Sequence, residues 1–210
     1  MTLLMLSCDG PTAGHETRTE GAEGVMDTVL AKIGAAPTYT ERPGEGLSPL
    51  QQGLNAALAD SAIDAYYKEV YRQGRIIPAD DNKMLSITEK LFTEDATQNL
   101  FYFLVFTRSM NASDGFYSEA LSEVSFRYVT TRTEQFVDYF NIAPGLGEQD
   151  MDNWARYVAG EIRITREGHE KKAFRELEVQ LVQNLEGKRK EYGAVREKFM
   201  ERLALQLGDQ

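Results

Sequence analysis

One cysteine, Cys8, two histidines, His15 and His169, and one tryptophan stand in a chain of 210 residues. A single cysteine excludes an intrachain disulfide framework and every zinc site built from several thiolates. Two histidines that are not part of His-Glu-x-x-His, and not placed three residues after a glutamate, exclude the zincin and di-iron bundle signatures. The chain also lacks a glycine-rich phosphate loop of the Gly-x-x-x-x-Gly-Lys-Ser/Thr or Gly-x-Gly-x-x-Gly kind, and a Gly-x-Ser-x-Gly elbow. No apolar run reaches the roughly 18 residues of a membrane-spanning helix. The sequence therefore points to no metal, no cofactor and no familiar catalytic constellation.

What is present is acid. Asp and Glu number 33 against 23 Lys and Arg, a formal charge of -10. Residues 167 to 202 hold 9 basic and 8 acidic side chains, so the excess lies upstream. Such a field repels phosphate backbones and anionic lipid headgroups, which disfavours nucleic acid and electrostatic membrane adsorption as partners. It permits a basic partner without requiring one, since an acidic surface also serves solubility, and the expected partner is another protein. Hydrophobic residues at 42% and charged residues at 27% are ordinary for a folded domain.

Residues 1–8 read Met-Thr-Leu-Leu-Met-Leu-Ser-Cys, and the chain then turns polar. This order resembles the end of a bacterial lipoprotein signal peptide, in which an apolar stretch and a small residue, here Ser7, precede a cysteine that becomes the lipidated terminus. The resemblance covers about eight residues. It lacks a basic n-region, its apolar stretch is shorter than the usual core of about 7 to 15 residues, and Leu6 is larger than the pattern prefers. A leader upstream of Met1 would supply the missing parts. The resemblance implies diacylglycerol on Cys8, and export with lipid anchoring as the one route to a membrane. The alternative is a polar leader with an unmodified Cys8 in a cytoplasmic protein.

Glycines and prolines from Gly10 to Gly46 mark residues 1–47 as a flexible tether, interrupted by one amphipathic piece in which Val25, Met26, Val29, Leu30 and Ile33 recur at helical spacing. Residues 48–210 read as an all-α domain, an irregular multi-helix bundle or stacked helical pairs. Ser48, Pro49 and Gln51 form an N-cap, a first-turn proline and a glutamine placed to reach back. From there Leu50, Leu54, Leu58, Ala62 and Ala65 mark one face of a helix stopping at Gly74. A second helix carries Met84, Ile87 and Leu91, and Thr93 reads as the next cap. The run 100–106, apolar all round, is ambiguous between buried helix and strand, and its flanks favour helix. Helices through Phe116–Tyr128 and Phe136–Phe140 follow, then a break at 142–147, then a helix capped by Asp150. Beyond Thr165 a stripe from Phe174 to Leu203, with Lys188 allowed one position in it, runs eight steps in 29 residues, about 3.6 per step. That period predicts one long C-terminal helix packed on a bundle, supported by Glu167–Lys171 and Glu186–Lys190 pairs, with Gly187 as the place where it can kink or fold into a hairpin.

Four carboxylates, Glu119, Glu123, Glu134 and Asp138, are the candidate acidic binding face. Asp60 with Asp64, and Glu134 with Asp138, stand one helical turn apart and would serve as acid and base, or hold a hard cation, if buried together. The bland reading is an exposed polar face. Tyrosines and phenylalanines crowd residues 66–140, and Tyr102, Phe106, Tyr128 and Phe136 are candidates to line an aromatic pocket, core packing being the alternative. Asn111-Ala112-Ser113 fits a glycosylation sequon. The leading functional expectation is a non-enzymatic helical interaction protein, exported if Cys8 is lipidated. An acidic immunity protein neutralising a basic toxin, and a ligand carrier or enzyme built on the aromatic pocket, are the alternatives.

Overall fold

A computed structural model describes residues 48–113, 115–143 and 145–208. Cys8, His15, the 25–33 segment and the rest of the tether lie outside the described residues. Nine helices and no strand occur among those described: α1 Pro49–Ala59, α2 Ala65–Gln73, α3 Asp81–Lys90, α4 Asn99–Ser109, α5 Gly115–Thr131, α6 Thr133–Ile142, α7 Glu148–Thr165, α8 Glu170–Asn184 and α9 Glu191–Leu207.

The ambiguous apolar run is the central helix. Nine of the eleven residues of α4 are buried, so it has no outward face, and α1, α2, α3 and α7 pack around it. A strand buried on both faces would need hydrogen-bonded neighbours that no other segment supplies, whereas a helix closes its own ladder. Its far end is satisfied by α7: the Met110 carbonyl accepts from the Tyr157 hydroxyl at 3.2 Å. Trp154 of α7 stacks on Phe103 with ring centroids 5.1 Å apart and planes 13° from parallel. Its indole N–H donates to Thr107 Oγ1 at 3.0 Å, which removes the cost of burying that donor. α5 comes close to α7 at Gly160, where a Cβ would lie 2.9 Å from Ser122 Oγ.

Short polar side chains divided helices that apolar periodicity joins. The expected helix from Ser48 to Gly74 is two, because Asp60 accepts from the Ala62 N–H and Asp64 from the Tyr66 N–H, both at 2.8 Å, offering the backbone partners outside a ladder. The Ser48 cap forms, accepting from Gln51 N–H at 3.2 Å, but the Gln51 amide turns forward to Asn55 rather than back. Thr93 does not open α4; Asp95 binds both the N–H and the hydroxyl of Thr97, at 2.9 and 2.6 Å, and this turn delays the helix to Asn99. Asp150 is not the cap of α7 but its third residue, reaching back to the Gly147 N–H at 2.9 Å.

The stretch beyond Thr165 is an antiparallel hairpin of α8 and α9, not one helix. Gly187 adopts φ +73°, a left-handed conformation that breaks the ladder and that glycine takes without penalty. Glu167 and Gly168 precede α8, and Glu186 sits in the turn, so neither expected i,i+4 pair forms. The apolar stripe is real but shared: Leu177 and Leu181 enter the core from α8, Tyr192, Phe199 and Leu203 from α9. Lys198 and Arg202 of α9 pair with Glu148 and Asp152 of α7, fixing the second arm along the bundle.

Candidate functional site

The four aromatic candidates are core. Tyr102, Phe106, Tyr128 and Phe136 are between 0% and 4% exposed. Phe106, Tyr128 and Phe136 each lie within 5.6 Å of the Trp154 ring, centroid to centroid, and Tyr102 packs edge-on against Tyr67. Ring–ring packing of this kind adds about 0.5–1.5 kcal/mol per pair beyond the area buried.

The acidic candidates fall into two groups. Glu119 and Glu123 lie one turn apart on the exposed face of α5, where Glu123 faces Arg127 at 3.9 Å. Burial, with the Glu123 charge added, pushes the Glu161 carboxyl of α7 up. Glu134 and Asp138 instead face the α8–α9 turn: Glu134 pairs with Lys188 at 2.8 Å, while Asp138 accepts from the Tyr192 hydroxyl at 2.7 Å and from Arg189 at 3.4 Å. Asp60 and Asp64, expected on one helix, cap two different ones, and Asp64 pairs with Lys83. No group of three or more candidate ligands for a metal ion occurs among the described residues. His169 is exposed at the start of α8. Asn111 spends its amide on the fold, donating to the Gly74 carbonyl at 2.8 Å and accepting from Asn153 at 2.9 Å, so a glycan would be attached to a nitrogen already engaged in the fold.

Glu134 and Asp138 line a polar cleft of about 730 Å³ where the start of α1, the α5–α6 junction and the α8–α9 turn meet. Its wall is made from side-chain hydrogen bonds. Tyr128 donates to Gln135 Oε1 at 2.8 Å, and Gln135 Nε2 donates to the Tyr139 hydroxyl at 3.0 Å. Asn99, its amide donating to the Thr93 and Asp95 carbonyls, accepts from the same Nε2 at 3.2 Å. Asn184 spans from α8 to the Thr130 carbonyl at 2.9 Å and Thr133 Oγ1 at 2.8 Å. Burial pushes the Tyr139 hydroxyl up to about 12, so it remains a neutral donor at physiological pH. The Tyr128 and Tyr192 hydroxyls are raised for the same first reason.

No family model, curated protein or solved structure matches this chain.

Chemically, the cleft offers fixed hydrogen-bond donors and acceptors beside two carboxylates whose cationic partners are half-exposed. Such exposed ion pairs are worth at most about 1 kcal/mol each and exchange readily with cations from outside. Sequence reasoning singled out Glu134 and Asp138 but not Asn99, Gln135, Asn184, Lys188 or Tyr192. Gln135 adjoins Glu134, but Asn99, Asn184, Lys188 and Tyr192 are distant in the chain and come to α6 only through the packing of α4 and of the α8–α9 hairpin.

Proposed function

We propose that residues 48–210 act as a non-enzymatic helical interaction protein that meets a basic partner protein at the polar cleft, with Lys or Arg of the partner taking the places of Lys188 and Arg189 on Glu134 and Asp138. The observation that carries this reading is the pairing itself. Asp138 is held by the Tyr192 hydroxyl, and with Glu134 it stands beside a wall hydrogen-bonded through Gln135 and Asn184, yet both carboxylates are neutralised by side chains that solvent reaches. A preorganised acceptor with an exchangeable cation suits recognition, and tyrosines kept protonated suit donation rather than proton abstraction. Lipid on Cys8, if attached, would confine that binding to a membrane surface.

The test is capture of partners by the full chain from extracts of its own cells. A partner should be held at low salt and released toward 1 M, where the Debye length is about 3 Å. Glu134→Gln with Asp138→Asn should reduce capture several-fold, and Glu119→Gln with Glu123→Gln should not. Equal retention by every variant at both salts would contradict the reading.

A further inference from the structure

A second surface lies on the outer side of the α8–α9 hairpin. One groove, of about 320 Å³, runs between the helices near their free ends, with Phe174, Ala204 and Leu207 as its apolar lining. Another, of about 410 Å³, lies toward the turn, with Val182, Leu185 and Gly193. Helical periodicity places both on one seam: residues 171, 174, 178 and 182 recur at three- and four-residue steps along α8, continued by Leu185 at its C-cap, and 193, 196, 204 and 207 fall on one face of α9 with the buried Met200 between them. At 1.5 Å per residue a 15-residue helix such as α8 makes that seam about 22 Å long, roughly four turns. Val179 and Val182 continue the apolar surface onto the α8 bank, 55% and 46% exposed.

The charge of the seam is opposite to that of the chain. Six basic and three acidic side chains line it, in a protein with 33 acidic and 23 basic residues. The side chains of three of those cations, Lys171, Arg175 and Lys190, form no ion pair or hydrogen bond among the described residues, against two such carboxylates, Glu178 and Glu186. Gly193 adds an independent observation. It stands inside α9, where glycine costs up to about 1 kcal/mol relative to alanine, yet a Cβ there would meet nothing within 4 Å. Packing within the chain does not account for that glycine, and the bare backbone leaves room for another chain to approach closely.

We propose that this seam is a docking groove for an amphipathic helix of a partner protein, whose apolar face lies on Phe174, Val182 and Leu207 and whose flanking Asp and Glu face Lys171, Arg175 and Lys190. This goes beyond the cleft, since the seam selects the opposite charge and shares with the cleft only Lys188 and Arg189 at the turn.

The probe is a fluorescein-labelled helical peptide of about 18 residues with leucines on one face and glutamates on its flanks, titrated with the full chain and followed by anisotropy. A comparison peptide keeps the leucines and carries lysines instead. The glutamate peptide should bind, with affinity at least about tenfold above that of the lysine peptide, and lose it at high salt. Lys171→Glu with Arg175→Glu should reverse the preference. Gly193→Leu should abolish binding while circular dichroism and melting temperature stay at or above the parent values. Binding of both peptides alike, binding of neither, or undiminished binding by the folded Gly193→Leu protein would overturn the proposal. So would a concentration-dependent dimer that Gly193→Leu dissociates, because the occupant would then be a second copy.

Discussion

Trp154→Ala is expected to lower the unfolding free energy by about 3–5 kcal/mol, the range for deleting a large aromatic side chain from a close-packed core. Trp154 is fully buried and touches Phe103, Phe106, Tyr128 and Phe136, so its removal leaves a cavity that rigid neighbouring rings cannot collapse to fill. It also strips Thr107 Oγ1 of its donor. Trp154→Phe should fall between, restoring most of the ring contact but not the indole hydrogen bond. Urea denaturation followed by far-ultraviolet circular dichroism measures both. A loss under about 1 kcal/mol for the alanine variant would mean that the aromatic centre is looser than these ring distances imply.

The second large effect should come from Asp150→Ala, again about 3–5 kcal/mol, because removing one partner of a buried ion pair leaves the other charge uncompensated. Arg108 and Asp150 meet at 3.3 Å with side chains only 13% and 8% exposed, and Arg108 Nε is already without a partner. Asp150 also supplies the acceptor for the Gly147 N–H at the start of α7. Asp150→Asn keeps an acceptor there while removing the charge, so its loss should be smaller. Arg108→Met combined with Asp150→Leu should recover much of the loss from the single alanine change, since a buried pair replaced by apolar groups leaves no stranded charge. Equal destabilisation by the double and single variants would place the whole effect on the cap.

The helical class was legible because it rests on repeated local signals. Leu54 and Ala57, Met84 and Ile87, Leu177 and Leu181 each recur at helical spacing, and each pair is buried. Helix boundaries were less legible wherever a side chain competes with the backbone ladder, as Asp60, Asp64 and Asp95 do. Apolar periodicity is blind to that competition. The hairpin shows the same limit differently: the stripe from Phe174 to Leu203 keeps its phase across Gly187, so nothing in the period marks the reversal, and only the glycine hints at it. Aromatic crowding was visible, but whether rings enclose a space or fill it depends on how α4, α5, α6 and α7 meet. Glu134 and Asp138 could be picked out as a pair, but Lys188, Arg189 and Tyr192, which pair with them, arrive through a turn that the sequence offered only as an option at Gly187.

Site-specific photo-crosslinking in the protein's own cells tests the central claim, binding of a partner protein at the cleft, most directly. A photoreactive residue would replace exposed Thr131, which lines the cleft, and separately exposed Arg72 of α2, which does not. The expected result is a discrete crosslinked partner from position 131 that disappears when Glu134→Gln and Asp138→Asn are added, with no such product from position 72. Absence of any crosslink at 131, or the same product from both positions, would contradict recognition at the cleft.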